Sequence, residues 1–188
     1  MLNIIYKGKD LNIVKKEVQK SFDFVYNFFG FSLKNLTVQV CNSRLEYNKI
    51  LNKKKSDDWE VGSVFGIDKI IILSPIAFKN ESCHDQSEFA SVLKHEICHI
   101  YIRKLSRGNS VPLWLNEGVS QYVAGQNTDC NNGNIYIEDN FCEKLGTQKG
   151  WEENVNYSAY QIASLFVFFL IKKYSLDKIK ELISSLDK

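Results

Sequence analysis

Two of the chain's three histidines stand four residues apart, in His95-Glu96-Ile97-Cys98-His99. On a helix, residues at that spacing share one face, a turn apart. Two imidazoles so placed can reach a single ion at the roughly 2.0–2.1 Å that zinc prefers. Glu96 lies one position round from His95, where a carboxylate can hydrogen-bond a water on the metal without ligating the ion. The chemistry implied is attack by a metal-activated water. The plain alternative is a pair of histidines on an ordinary helix face, because so short a motif also arises by chance.

A catalytic zinc ion usually takes three protein ligands and keeps one position for water. Pro112-Leu113-Trp114-Leu115-Asn116-Glu117-Gly118-Val119-Ser120-Gln121-Tyr122 supplies a carboxylate, Glu117, 18 positions after His99 (117 − 99). One helix end, a turn at Gly108 and the start of a second helix fit in that interval. The neighbours Leu113, Trp114 and Val119 are apolar, and a carboxylate among them is costly unless it meets a cation. A helix-capping or solvent-facing Glu117 is the competing expectation.

The elements around these residues follow from periodicity. Leu2 to Tyr6 reads as a short strand. Leu11, Val14, Val18, Phe22, Val25 and Phe29 recur at helical spacing from Asp10 to Phe29, and Gly30 ends the run. Leu36 to Val40 is strand-like, and a Lys-rich helix covers Arg44 to Lys53. Val61–Phe65 and Lys69–Leu73 form two β-like runs around a turn at Gly66-Ile67-Asp68, and Ser74-Pro75 stops the second. A helix spans Gln86 to Leu105, with Asp85 as N-cap. Another runs from Pro112 to about Ala124 and ends at Gly125. After a polar loop at Thr128 to Gly133 come only short elements, such as Ile135–Ile137 and a turn at Phe141–Leu145. Helices at Ser158–Tyr174 and Asp177–Leu186 follow. Strands and helices mixed, then helices alone, predict an α+β class. No repeat or linker divides the chain, so one domain over 1–188 is expected, with an N-terminal α/β part at 1–60 and a core at 61–188.

His-Glu-x-x-His followed by Trp114-Leu115-Asn116-Glu117-Gly118 resembles the gluzincin metallopeptidases. The second string is similar to that of the M1 aminopeptidases. The short format is closer to the compact peptidase-MA-like proteins and the minigluzincins. The resemblance covers about Val61 to the end and implies a zincin, thermolysin-like catalytic domain: a small mixed sheet, an active-site helix and C-terminal helices. It implies one zinc ion per chain on His95, His99 and Glu117, Glu96 as general base, and a peptide or protein substrate. It also implies a sheet-edge strand that pairs with substrate, for which Gly62, Ser63, Val64 and Phe65 are the candidates beside Ile70–Leu73. A tyrosine that steadies the oxyanion is implied at the head of the penultimate helix. Tyr160, followed by small residues at Ala163 and Ser164, matches better than Tyr157. The sequence departs from its relatives in two places. It has no Gly-Ala-Met-Glu-Asn exopeptidase string, and Gln121 stands where thermolysin-like enzymes carry an Asp four residues after the third ligand. A zinc-binding module without turnover is the main rival expectation. An intact Glu96, which a structural site does not need, favours the enzyme.

Composition narrows the remaining classes. The chain has 188 residues, 44% hydrophobic, with 24 basic against 22 acidic side chains. That balance gives no reason to expect nucleic acid or an anionic membrane as partner, and Lys53-Lys54-Lys55 reads as a solvated loop. No run approaches the ~18 apolar residues of a spanning helix. No basic segment, apolar stretch and cleavage site follow one another at the N-terminus. Five cysteines, an odd number without a Cys-x-x-Cys pair, suit a reducing compartment. A cytoplasmic location is the expectation. The excess of Lys over Arg, with abundant Asn and Ile, fits an AT-rich bacterial genome.

Overall fold

The structure is a computed structural model that describes residues 1–126, 139–154 and 159–186. The chain divides into two compact units, Met1–Ile100 and Tyr101–Lys188. The division falls inside one continuous helix, Phe89–Leu105.

The first unit is built on a four-stranded sheet in the order β1-β2-β4-β3. β1 (Leu2–Ile5), β2 (Leu36–Cys41) and β4 (Lys69–Leu73) run parallel; β3 (Gly62–Phe65) pairs antiparallel with β4. α1 (Leu11–Phe29) is the crossover from β1 to β2. Its buried positions Val14, Val18, Val25 and Phe29 form one helical stripe. Gly30 closes it with φ 79°, a left-handed value that glycine adopts without penalty, and donates to the Tyr26 carbonyl. β4 lies between two strands, and Ile70, Ile71, Ile72 and Leu73 are all fully buried. A strand covered on both faces reads as a continuous apolar run for that reason.

α2 (Arg44–Ile50) starts at Ser43, whose hydroxyl accepts from the Glu46 amide. α3 (Pro75–Glu81) follows β4 directly, with the Ser74 hydroxyl accepting from Ala77 N–H and proline in its first turn. The sequence expectation had only a stop at Ser74-Pro75. A seven-residue helix shows too few turns for periodicity to register, although Ser-Pro is also a helix-start signature. The helix expected from Gln86 begins with a single 3-10 turn at Gln86–Glu88, fixed by a reciprocal capping box between Asp85 and Glu88. α4 (Phe89–Leu105) follows it.

The second unit is helical among its described residues: α5 (Leu113–Ala124), α6 (Phe141–Lys144), α7 (Gln148–Asn154), α8 (Ala159–Tyr174) and α9 (Leu176–Ser184). α5 and α8 pack at backbone distance. A Cβ on Gly118 would stand 2.5 Å from the Ala163 carbonyl oxygen. Trp114, Phe141 and Phe166 form an edge-to-face cluster beside this crossing, with ring centroids 4.6–6.1 Å apart. The chain is therefore a mixed α and β protein with a small mixed sheet. No single helix among the described residues is long and apolar enough to cross a membrane. The polar loop at Thr128–Gly133, the short element at Ile135–Ile137, and Tyr157 lie outside the described residues.

Candidate metal centre

α4 turns two adjacent stripes to different neighbours. Leu93, Ile97, Cys98 and Tyr101 are completely buried, so Cys98 is a core residue. His95, Glu96 and His99 are half-buried. The two imidazoles meet edge to face, with ring centroids 4.7 Å apart and planes at 83°. That is the geometry expected of side chains four apart on one helix face.

Glu117 sits in the second turn of α5 and is half-buried between the buried Trp114, Leu115, Gly118 and Val119. α5 has no side-chain cap; the amides of Leu113 and Trp114 donate instead to the carbonyls of Gly146 and Leu145. Those bonds satisfy two donors that a helix start leaves open. Gly118, next to Glu117, admits the backbone of α8.

One ligand atom from each of His95, His99 and Glu117 lies within 4.8 Å of the others. Around a tetrahedral zinc ion with bonds near 2.1 Å, ligand atoms stand about 3.4 Å apart. Side-chain rotations of about 1.4 Å or less would close the group. Two imidazoles and one carboxylate also match the donor set of a catalytic site with an open position. The residues present fit zinc.

The strand expected to meet substrate is an edge. Gly62, Ser63, Val64 and Phe65 form β3, whose only strand partner among the described residues is β4. The Leu73 amide donates to the Val61 carbonyl at 2.9 Å. Antiparallel pairs alternate. Ser63 and Phe65 therefore turn their N–H and C=O groups toward β4, and Gly62 and Val64 turn theirs away from it. The Gly62 backbone also lies against the Glu96 side chain.

Tyr160 is in the first turn of α8, one turn before Ala163, and its ring stands edge-on to Trp151 with centroids 4.9 Å apart. Gln121 is buried one turn after Glu117. Its Oε1 accepts no hydrogen bond from the described residues.

Three supporting residues carried no recognisable signal in the sequence. Arg44 donates from its guanidinium to the carbonyls of Asp57, Asp58, Glu60 and Glu81 and to the Ser56 hydroxyl. It thereby holds the segment that leads into β3. Tyr47 is fully buried, and its hydroxyl donates to Glu60 Oε1 at 3.1 Å. Burial, with the negative charges of Glu60 and Glu96, pushes its phenol well above the ordinary tyrosine range. His84, the chain's third histidine, is half-buried. That ring bridges Glu88 Oε2 and the Trp59 carbonyl, both at 3.0 Å.

No protein-family model matches the chain, and no curated protein is significantly similar to it in sequence.

Proposed function

We propose that the protein is a zinc-dependent peptidase of the gluzincin type, with a zincin-like catalytic core. The observation that carries the proposal is the convergence of His95, His99 and Glu117 beside Glu96. His95 Nδ1 or Nε2, its counterpart on His99, and a Glu117 carboxylate oxygen would hold the ion. Bound there, zinc supplies Lewis-acid polarisation of a carbonyl and acidification of water. Glu96 acts as general base: it accepts a proton from the attacking water and returns it to the leaving amine. Gly62 and Val64 offer backbone donors and acceptors on the open edge of β3, to which an extended peptide would add as a further strand. Tyr160 is the candidate for steadying the oxyanion by donating its phenolic proton.

The test is turnover of a quenched-fluorescent peptide library by zinc-loaded protein. Cleavage that disappears with a chelator and returns with zinc supports the proposal. A zinc-loaded chain that cleaves no peptide or protein offered would leave a metal-binding module in its place. Tyr160→Phe, with Tyr157→Phe beside it, separates an oxyanion role from a structural one: unchanged kcat in both removes tyrosine from the mechanism.

A further inference from the structure

We propose that Gly62 is a positioning residue for Glu96: the bare backbone of β3 at this point is the surface that sets where the Glu96 side chain stands. A Cβ built on Gly62 would lie 3.0 Å from Glu96 Cγ, 3.3 Å from Glu96 Oε1 and 3.2 Å from Val92 Cγ1. Carbon atoms in comfortable contact stand about 3.5–4.0 Å apart. Val92 and Glu96 are four apart on α4 and share a face, so this stripe of the helix is seated directly on the strand. Gly62 has no positive φ. Glycine is thus not demanded here by the backbone conformation; the space beside Glu96 demands it.

The strand cannot retreat to make room. Val61 is buried, and its carbonyl accepts from Leu73 in β4. Gly62 is in register with Ile72, a fully buried residue of the central strand. Two residues before Gly62, the Glu60 carbonyl accepts from Arg44, and its carboxylate accepts from Tyr47 and from Lys53 Nζ at 2.5 Å. His84 holds the Trp59 carbonyl. With β3 held to β4 along one edge and the segment before it held at Trp59 and Glu60, a methyl group on residue 62 is accommodated by movement of Glu96, whose outer atoms are the softer partner.

The catalytic consequence depends on the peptidase activity proposed above; the structural consequence does not. The experiment compares zinc-loaded wild type with Gly62→Ala by crystallography, zinc affinity and steady-state kinetics. Glu96 Cγ is expected to move a few tenths of an ångström away from β3. Zinc affinity should stay within about threefold, because the three atoms nearest to the added Cβ belong to Glu96 and Val92 and not to His95, His99 or Glu117. kcat should fall about tenfold with KM within about twofold, since misplacing a catalytic group by about 1 Å costs about 100-fold. An unmoved Glu96, or a kcat within twofold of wild type, overturns the proposal. If the wild type binds zinc but cleaves nothing, the peptidase proposal fails, and the position of Glu96 alone decides the role of Gly62. If Gly62→Ala proves too unstable to purify, Gly62→Ala/Val92→Ala, which removes the contact with Val92 Cγ1, carries the same readouts.

Discussion

Replacing Gly118 by alanine sets two effects of opposite sign against each other. Gly118 lies inside α5, where alanine is favoured over glycine by about 0.8–1.0 kcal/mol. Helix propensity alone therefore predicts a more stable protein. The added Cβ, however, would stand 2.5 Å from the Ala163 carbonyl oxygen and 2.6 Å from Val167 Cγ2. Overpacking costs about 1–3 kcal/mol, and the upper figure applies because the nearer obstacle is backbone and cannot rotate away. The net expectation is a loss of about 2 kcal/mol. For a chain of this size that is a fall in Tm of about 4–8 °C. Thermal and urea unfolding of both proteins measure it. Val167→Ala in the Gly118→Ala background should not restore stability, since the carbonyl remains. A Gly118→Ala protein as stable as wild type, or more stable, would refute the backbone contact between α5 and α8.

Other outcomes follow from the same structure. If the protein is the zinc peptidase proposed above, Glu96→Gln should bind zinc with little change and lose about 100- to 10,000-fold in kcat, the worth of a general base; metal analysis and kinetics on one sample check both halves. Burial and the hydrogen bond to Asp10 raise the Tyr6 pKa from 10.0 to about 12. The folded pKa is above the unfolded one, so its stabilising contribution is complete below about pH 10. It is lost as pH rises toward 12. Tyr6→Phe should therefore flatten the decline in stability over that window, as followed by urea unfolding. Cys83 is exposed, whereas Cys41 and Cys98 are fully buried and burial lifts the Cys41 thiol to about 12. A thiol reagent at pH 8 should label Cys83 in the native protein and reach Cys41 and Cys98 only in denaturant, as mass spectrometry of the peptides would show.

The residues that announce themselves in the sequence do so because one short-range rule dominates each. The stripe of α1 and its terminal Gly30, the β3–β4 hairpin around Gly66, and the His95/His99 pair need only periodicity, turn chemistry or helix geometry. Glu117 stood out as a candidate because an acid among apolar neighbours is anomalous without a cation, and the structure brings it near His95 and His99. Long-range arrangements were not legible. The parallel pairing of β1 with β2 and of β2 with β4 depends on crossover handedness and burial rather than on any local signal. α3 and α7 have seven residues each, too few for a helical period to stand out. Arg44 looks like any helix-start arginine until the carbonyls of Asp57, Asp58 and Glu60 are seen to converge on it. Gly62 reads as a strand residue, and through the resemblance as one that pairs with substrate, but nothing points to Glu96 until that side chain is found against it.

The central claim is that His95, His99 and Glu117 bind one ion together. Elemental analysis after mild dialysis, on wild type and on Glu117→Ala, tests it most directly. About one zinc per wild-type chain and a much weakened or absent ion in the variant are expected of a three-ligand site. A wild-type chain that stays metal-free when zinc is supplied, or a Glu117→Ala protein that holds zinc as tightly as wild type, would contradict it.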